Sequence, residues 1–274
     1  MPELPEVETV VRTLEYLIGG LRITEIDILY PPIVHGDVSS FLSALINKRF
    51  TGFSRRGKYA LYTIEDVVLM VHLRMEGRFY VLDHDSPIAK HTHVIFHLEN
   101  GKQLHYHDVR KFGRMEVLMP EDVDDRLSML GLEPFDTRLS GHYLKKMAGT
   151  RDIGLKTFLL DQRFVAGIGN IYADEICFCA RLHPETNVRK ISLKRFNEMA
   201  ICIKMIMSQA IADGGTTIRS YTSSLGVSGR FQLNLNVHMR KGEPCRVCGQ
   251  TIIKTRVSGR GTYVCQRCQK RIAD

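Results

Sequence analysis

Four cysteines near the carboxyl end constrain the fold of this chain more than any other feature. They form two Cys-x2-Cys pairs, Cys245 with Cys248 and Cys265 with Cys268, separated by sixteen residues. This is the spacing of a four-thiolate zinc ribbon, in which two knuckles close a tetrahedral site. The protein fills all four positions, so the zinc is predicted to be structural and to stabilise a segment too small to fold unaided.

Two unrelated redox pairs are the alternative interpretation of these four cysteines. Nothing near them resembles the βαβ unit of a thioredoxin, which disfavours that reading. Between the pairs, a strand-forming run predicts a hairpin with Gly259-Arg260-Gly261 at its tip and the arginine presented to solvent. The other three cysteines lie in apolar helical patterns and are expected to be inert core thiols: Cys177, Cys179 and Cys202.

The charge balance favours a polyanionic partner. The chain of 274 residues has 38 Lys and Arg against 30 Asp and Glu, a formal net charge of +8, and a pI near 9.1. A hydrophobic fraction of 44% can form one large core or two modest ones, and we expect two domains and a small appendage. No basic leader with an apolar core and no apolar stretch of membrane-spanning length is present, so a cytoplasmic protein is expected.

The amino terminus carries a candidate nucleophile. The sequence begins Met1-Pro2-Glu3, and removal of Met1 would leave Pro2 with a secondary amine whose ordinary pKa is about 7.7 to 8.0. Attack of this amine on a sugar C1′ gives an iminium ion that withdraws electrons as soon as it forms, with Glu3 as the adjacent acid or base. The alternative is a short leader before a helix, and these three residues alone favour that alternative.

A helix is predicted directly after these residues. Apolar side chains recur at helical spacing from Val7 to Ile18, Pro5 suits the first turn, and Gly19-Gly20 suits the end. The positive end of the helix then lies beside Pro2 and should lower the pKa of its amine, as a nucleophile requires.

Residues 21 to 120 predict an antiparallel sandwich of short strands. Asn100-Gly101 marks a two-residue hairpin, and polar clusters interrupt the strands with cations beside Met75 and Phe112. Such a composition suits a surface that grips phosphates and inserts apolar wedges into a base stack, and His91 is interpreted as a phosphate contact. The predicted strands are Leu69–Leu73, Phe79–Leu82, Val94–Leu98, Gln103–Val109 and Met115–Leu118.

Beyond a linker-like break at Gly131-Leu132-Glu133-Pro134 the pattern becomes helical. The loop Arg163 to Asn170 contains two glycines before a helix, which suits the binding of a DNA phosphate. A nucleotide cradle is the competing interpretation, but the loop lacks the Lys-Ser/Thr ending of a P-loop. The predicted helices are Leu155–Gln162, Ile171–Ala180 and Leu193–Asp213, with a Gly/Ser-rich loop after the last.

Six motifs in order make the chain resemble the bacterial formamidopyrimidine-DNA glycosylases, which repair 8-oxoguanine. The resemblance covers essentially the whole length. It implies an α+β protein with an N-terminal antiparallel β-sandwich, a helix-two-turns-helix domain and a C-terminal zinc ribbon. The motifs are Pro2-Glu3-Leu4-Pro5-Glu6, Arg56-Gly57-Lys58-Tyr59, His72-Leu73-Arg74-Met75, Arg110-Lys111-Phe112-Gly113, Gly167-Ile168-Gly169-Asn170-Ile171-Tyr172 and the ribbon with Gly259-Arg260-Gly261.

The resemblance also implies domain bounds and an activity. The sandwich is expected over residues 2–130, the helical domain over 131–235, and the zinc finger with one Zn²⁺ over 236–274. The expected protein is a monomeric base-excision enzyme of the bacterial cytoplasm and nucleoid. It would be a glycosylase and abasic-site lyase that removes oxidised purines from double-stranded DNA, bound in the cleft between domains.

The resemblance assigns roles to individual residues. Pro2 would form the Schiff base, Glu3 would donate a proton near the sugar ring oxygen, Lys58 would assist β-elimination and Arg260 δ-elimination. The loop from about Thr216 to Phe231 would close over the extruded base. The residues expected to hold the backbone are His91, Arg110, Arg151, Lys156 and Asn170, while Met75, Arg110 and Phe112 would fill the gap left by the rotated nucleotide.

The chain departs from the family pattern at two places, and two rival functions fit the same motifs less well. Residues 232–239 read Gln-Leu-Asn-Leu-Asn-Val-His-Met where the family usually has Gln-Xaa-Glu-Leu-Xaa-Val-Tyr-Gly, and Thr157 stands where Pro or Ala is common. The first departure is expected to alter the seating of the ribbon. The nearest rival is the sister family that acts on oxidised pyrimidines, whose members typically have Gly at position 4 where this chain has Leu4. The other rival is a non-catalytic zinc-ribbon protein that binds DNA.

Overall fold

The computed structural model describes residues 1–216 and 230–272. This part of the chain divides into two compact units. Unit 1 contains residues 1–128 and 214–216, and unit 2 contains residues 129–213 and 230–272. The helical segment and the cysteine-rich segment therefore belong to one unit. No helix among the described residues is long and apolar enough to cross a membrane.

Unit 1 contains eight antiparallel strands in two four-stranded sheets, as the predicted sandwich requires. The orders are β1-β6-β7-β5 and β2-β3-β4-β8. Gly101, with a φ of +79°, permits the tight predicted turn between β6 and β7. The strands are β1 Ile23–Ile28, β2 Phe50–Arg56, β3 Tyr59–Ile64, β4 Val67–His72, β5 Arg78–Asp83, β6 Thr92–Leu98, β7 Lys102–His107 and β8 Arg114–Leu118.

Helix α1, Leu4–Ile18, packs its apolar stripe into the core of the sandwich. The five strands predicted by name correspond to β4 through β8. The three earlier strands were not predicted by name, and of these β2 is polar at most positions and half-exposed along its length. A second helix, α2 Val38–Leu45, begins at Asp37, whose carboxylate accepts from the backbone N–H of Ser40 at 2.7 Å.

Unit 2 is helical before its ribbon. Three of its helices, α5 Leu155–Leu160, α6 Asn170–Cys179 and α7 Leu193–Ala212, match the predicted ones within two residues at each end, and a fourth, α4 Gly141–Ala148, was not predicted. Ser192 begins the longest helix by accepting from the backbone N–H of Arg195. Two helices, α5 and α6, enclose the glycine-containing loop and form the helix-two-turns-helix element. A further helix, α3 Val123–Arg126, lies in unit 1.

One cysteine prediction is wrong. Cys179 and Cys202 form a disulfide between α6 and α7, whereas both were expected to be inert core thiols. Each lies on an apolar helix face, and the helical pattern could not reveal that the two faces meet. Cys177 is a buried free thiol, as expected, and burial raises its pKa.

The ribbon hairpin consists of β9 Ile253–Val257 and β10 Arg260–Val264. Ser258 and Gly259 form its two-residue turn, with φ of +47° and +76°, because such turns favour positive φ at both central positions. The turn therefore lies one residue earlier than predicted. Arg260 opens β10 opposite Val257 and is exposed beside the turn.

Candidate active site and DNA-binding surface

The amino terminus is held by a buried carboxylate. The backbone N–H of Glu3 donates to Glu6 Oε2 at 2.9 Å, a capping box in which the helix start is fixed. The other oxygen, Glu6 Oε1, accepts from the backbone N–H and the hydroxyl of Thr216 at 2.9 and 3.0 Å. Glu3 is only 2% exposed, so its carboxyl group has the buried position that an acid role needs. Pro2, directly before it, is half-buried.

Lys58 lies in the tight turn between β2 and β3. Gly57 precedes it with a φ of +57°, which a side chain would make unfavourable. The turn is tied to α1, because Arg55 donates from Nε to Glu8 Oε2 at 2.8 Å and from Nη1 to the carbonyl of Gly57 at 3.1 Å. The helix that begins at Glu3 and the turn that carries Lys58 are therefore connected through one buried arginine.

A neutral histidine lies behind this lysine. His72 stands opposite Tyr59 across β3 and β4, with ring centroids 4.6 Å apart. Burial lowers the pKa of His72 to about 3, and the Arg74 and Lys58 cations act in the same direction. Its Nδ1 accepts from the backbone N–H of Arg74 at 3.0 Å. The imidazole therefore adds no positive charge beside Lys58 at neutral pH.

The loop after β7 is folded around one buried aspartate. Asp108 accepts backbone N–H groups from Arg110, Phe112 and Gly113 at 3.0, 2.9 and 2.8 Å. The loop consequently presents its wedge side chain outward: Phe112 is 49% exposed, with the Arg110 guanidinium 4.8 Å above its ring. His91 is half-buried, and its carbonyl accepts from the backbone N–H of Asp108 at 3.0 Å.

The loop between β4 and β5, which carries Met75, lies beside the loop between β7 and β8, which carries Phe112. We call these two the wedge loops. A Cβ at Gly77 or at Gly113 would overlap the hydroxyl oxygen of the fully buried Tyr106. Both loops therefore approach the same tyrosine from their own side, and only glycine permits either approach. Met75, 38% exposed, and Phe112 thus lie on neighbouring loops of unit 1.

In unit 2 the predicted phosphate loop is held by a glutamine side chain. Gln162 accepts from the backbone N–H of Gly167 at 2.8 Å and donates to the carbonyl of Ile168, also at 2.8 Å. Asn170 is the first residue of α6, at its positive end. Its Nδ2 donates to the carbonyl of Gly261 in the ribbon hairpin at 3.1 Å, so it connects the loop with the hairpin of Arg260.

Two predicted backbone contacts of unit 2 differ in accessibility. Arg151 is exposed, with its guanidinium 5.0 Å from the ring centroid of Phe164. Lys156, in contrast, has no exposed surface, and its Nζ donates to Asp174, Thr262 and Gly261. The direct phosphate contact predicted for Lys156 does not fit this position, because its three donors already bind protein oxygens.

The four cysteines of the two pairs have the geometry of a metal site. Their Sγ atoms lie within 4.8 Å of one another. The measured separations include 3.4 Å for Cys248 to Cys265 and 3.9 Å for Cys245 to Cys268. A tetrahedral zinc with Zn–S bonds of about 2.3 Å needs about 3.8 Å between sulfurs. The backbone N–H of Gln250 lowers the pKa of Cys248 to about 7, whereas burial raises the pKa of Cys265 and of Cys268.

Models of known protein families match three consecutive segments of this chain. The N-terminal domain model of formamidopyrimidine-DNA glycosylase matches residues 1–115 and its H2TH domain model matches residues 130–222. The model described as a zinc finger found in FPG and IleRS matches residues 242–271. This chain belongs to the formamidopyrimidine-DNA glycosylase family. Its zinc finger uses the four cysteines for one structural zinc.

Relatives match the chain over almost its whole length. The formamidopyrimidine-DNA glycosylase of Desulforamulus reducens is 44% identical, covering 98% of this chain and 99% of the relative. That of Bacillus licheniformis is 43% identical, with coverage of 99% and 100%. Lactococcus lactis Fpg in complex with abasic-site DNA has a TM-score of 0.94 at 38% identity, covering 98% of this chain and all of that one. Another complex of the same family member contains N7-benzyl-Fapy-dG DNA, also with a TM-score of 0.94.

The sequence suggested candidate reactive groups, but residues that position those candidates were missed. Glu6 was noted only as part of a motif, and Asp108, His72 and Gln162 were given no role. A carboxylate in the first turn of a helix and an aspartate two residues before a motif arginine are the signals that were available. The predicted capping loop, from about Thr216 to Phe231, lies for the most part outside the described residues.

Proposed function

We propose that this protein is a bifunctional DNA glycosylase and abasic-site lyase that removes oxidised purines, 8-oxoguanine and formamidopyrimidines, from double-stranded DNA. Family membership over the full chain carries this proposal. The Lactococcus complexes with abasic-site and Fapy-dG DNA support the substrate class. We place the enzyme in the bacterial cytoplasm, acting as a monomer on nucleoid DNA.

Pro2, once Met1 is removed, attacks C1′ of the damaged nucleotide. The bond from C1′ to the base breaks and the base leaves with the proton that the attacking amine gives up. The sugar ring then opens as Glu3 protonates the ring oxygen, and an iminium joins Pro2 to the sugar. The buried carboxyl of Glu3 and the capping box with Glu6 support this assignment, since both fix the helix start where the amine lies.

The iminium makes the neighbouring carbon acidic, which permits two eliminations. Loss of a C2′ proton expels the 3′-phosphate, and subsequent loss of the C4′ proton expels the 5′-phosphate. Lys58, which lies on the β2–β3 turn and is 8% exposed, assists the first elimination. Arg260, exposed on β10, assists the second by binding the departing phosphate.

Exposed side chains on the two wedge loops hold the DNA open. Phe112, Met75 and Arg110 fill the space of the rotated nucleotide, which offsets an unstacking cost of roughly a few kcal/mol. His91, Arg151 and Asn170 contact the backbone around the lesion. The Asp108 carboxylate supports this role, because it fixes the loop with its wedge outward.

Borohydride trapping tests the proposal. The processed protein, incubated with a duplex containing 8-oxoguanine opposite cytosine, should form a covalent adduct that mass spectrometry locates on Pro2. Efficient trapping on oxidised pyrimidines alone would assign the protein to the sister activity. No adduct on any lesion, with DNA binding intact, would indicate a non-catalytic binding protein.

The role of Lys58 has its own test. Lys58→Ala should slow strand scission at a preformed abasic site by about 100-fold, as loss of a general acid–base group does, with less than a threefold change in DNA affinity. Lys102→Ala, an exposed lysine of the same unit, is the matched control and should leave both unchanged. If Lys58→Ala lowered affinity alone, Lys58 would only contact phosphate.

A further inference from the structure

The hairpin that carries Arg260 is anchored through a buried lysine. Lys156 on α5 donates from Nζ to Thr262 Oγ1 at 2.9 Å and to the carbonyl of Gly261 at 3.1 Å. Both acceptors directly follow Arg260. The third donor goes to Asp174 Oδ1 at 2.7 Å, and both side chains are fully buried, so the ammonium has the counter-charge that burial demands.

The same aspartate is completed by a histidine. Asp174 Oδ2 lies 2.7 Å from His238 Nδ1 and accepts from the backbone N–H of Tyr263 at 3.3 Å. The rings of His238 and Tyr263 contact each other edge to face, with centroids 4.9 Å apart. Lys156, Asp174 and His238 thus form a buried chain of polar contacts. It reaches β10 at Gly261 and Thr262 through the lysine and at Tyr263 through the aspartate and the histidine.

The position of His238 is itself fixed by the next residue of α6. Glu175, also fully buried, accepts the backbone N–H groups of Asn236, Val237 and His238 at 2.9, 3.0 and 2.9 Å. Two adjacent carboxylates of α6 therefore hold different parts of this segment, one its backbone and the other a side chain. Glu175 accepts from the backbone of residues 236–238, and Asp174 accepts from the His238 side chain.

Both departures from the family pattern contact this hairpin. His238 stands at the position of the usual tyrosine, within residues 232–239. Thr157, where Pro or Ala is common, places its Oγ1 2.7 Å from Ser258 Oγ in the hairpin turn. Neither Pro nor Ala has a hydroxyl for that bond. Two positions far apart in sequence thus contact one short hairpin, at its turn and beside its second strand.

We propose that His238 and Thr157 are positioning residues for Arg260. They fix the hairpin so that the guanidinium meets the 5′-phosphate that leaves in the second elimination. This inference rests on the proposed function. Neither residue touches the reacting atoms, so their loss should change how the abasic-site product is divided between β- and δ-elimination and should leave formation of the Pro2 adduct intact.

The test measures the ratio of δ- to β-elimination products on an abasic-site duplex. His238→Phe keeps a ring but removes the donor to Asp174 and should lower the ratio about tenfold, the effect of losing a hydrogen bond to a charged group. His238→Tyr, which restores a hydroxyl donor, should recover most of it. His142→Phe on α4 is the matched control, since His142 is exposed in the same unit.

Thr157 provides a variant that is expected to fold. Thr157→Ala should lower the ratio about twofold to threefold, as for one exposed neutral hydrogen bond, and Thr157→Ser should restore it. An unchanged ratio in both His238→Phe and Thr157→Ala overturns the proposal. So does a fall in borohydride trapping by the same factor as the ratio, because that pattern marks general loss of structure.

Hydrogen exchange separates this inference from the proposed function. Backbone amides of residues 253–264 in the free, zinc-loaded protein should exchange at least threefold faster in His238→Phe and no faster in His142→Phe. This readout needs no activity. A wild-type protein that formed no adduct would refute the proposed function alone, whereas unaltered exchange in His238→Phe would refute the anchoring of the hairpin.

Discussion

Lys58 and Arg260, the two cations assigned to the eliminations, are presented by hairpins that are stabilised in opposite ways. Lys58 lies on a sandwich with a large apolar cluster, in which aromatic side chains such as Phe50, Tyr62 and Phe96 are fully buried, and its turn is also tied to α1 by Arg55. Arg260 lies on a two-stranded ribbon with a small apolar cluster around Val237 and Ile252. The stability of the second hairpin therefore depends mainly on thiolates and buried charges, whereas that of the first depends mainly on apolar packing.

This difference indicates which perturbations each half should withstand. Burial of apolar area depends little on pH or metal, whereas a thiolate site is lost with its metal and a buried charge becomes costly when its partner is removed. A two-stranded hairpin is at best marginally stable in water, so the ribbon cannot replace those contacts by packing.

Zinc removal should produce the largest difference in stability between the two hairpins. Chelation removes apparent binding free energy of about 10–16 kcal/mol for finger peptides, and the ribbon should unfold while the sandwich stays folded. Limited proteolysis with mass spectrometry should then show cleavage within residues 242–271 and an intact fragment spanning residues 1–128. DNA binding should be lost. Normal affinity in the chelated protein would contradict the role of the ribbon.

Removal of one buried charge should be the next largest effect. Lys156→Met leaves Asp174 buried without its counter-ion, and unit 2 should lose about 3–5 kcal/mol of unfolding free energy. The double variant with Asp174→Leu should recover part of that loss, because the uncompensated charge is gone while the donors of His238 and Tyr263 lose their acceptor. Denaturant titration of the zinc-loaded proteins measures both. Equal losses in the single and double variants would show that the charge pair is not the cause.

The sequence predicted the local features of both hairpins because they depend on nearby residues. Asn100-Gly101 and the cysteine spacing act over a few positions, and their turn and metal geometry follow from residue type. The partners of buried polar groups depend on the whole fold. Glu6 and Thr216 are 210 positions apart, and Lys156 is 105 positions from Gly261.

Lys156 shows how this limit produced an error. The resemblance alone assigned Lys156 to the DNA backbone, and nothing in the nearby sequence indicates that this lysine is buried, which a lysine seldom is unless it is paired. Its partner Asp174 lies on the next helix, and its other acceptors lie in the ribbon. The disulfide of Cys179 and Cys202 was missed for the same reason.

An acid titration tests whether the unfolding free energy of unit 1 depends on pH, because His72 is a buried titratable group beside Lys58. The unfolded chain protonates a histidine near pH 6.5, whereas the folded pKa of His72 is about 3. The unfolded state therefore binds more protons between these values, and this histidine should make stability fall as pH falls through them, at most by about 1.4 kcal/mol per pH unit.

His72→Gln removes that proton uptake. Its unfolding free energy, measured from pH 7 to pH 4, should fall less steeply than that of the wild-type protein, and His142→Gln should reproduce the wild-type slope because His142 is exposed. Identical slopes for all three proteins would mean that His72 is protonated in the folded state as readily as in the unfolded one.

The smallest change in unfolding free energy is expected when one tyrosine hydroxyl is removed from each unit. Tyr62, fully buried in the sandwich, has a hydroxyl with no hydrogen-bond partner among the described residues, and burial raises its pKa. Tyr143 in unit 2 donates to the carbonyl of Phe164 at 2.8 Å. Tyr62→Phe should be neutral or stabilising by up to about 1 kcal/mol, because an unpaired buried hydroxyl costs free energy.

Tyr143→Phe, the same chemical change, should instead destabilise unit 2 by about 1 kcal/mol, because the carbonyl of Phe164 loses its donor. Opposite signs in thermal unfolding would show that the sandwich derives its stability from apolar burial even where a polar atom is present, while unit 2 depends on its polar contacts. A loss of 1 kcal/mol or more in Tyr62→Phe would mean that the hydroxyl has a partner, and the contrast between the two units would then fail at this position.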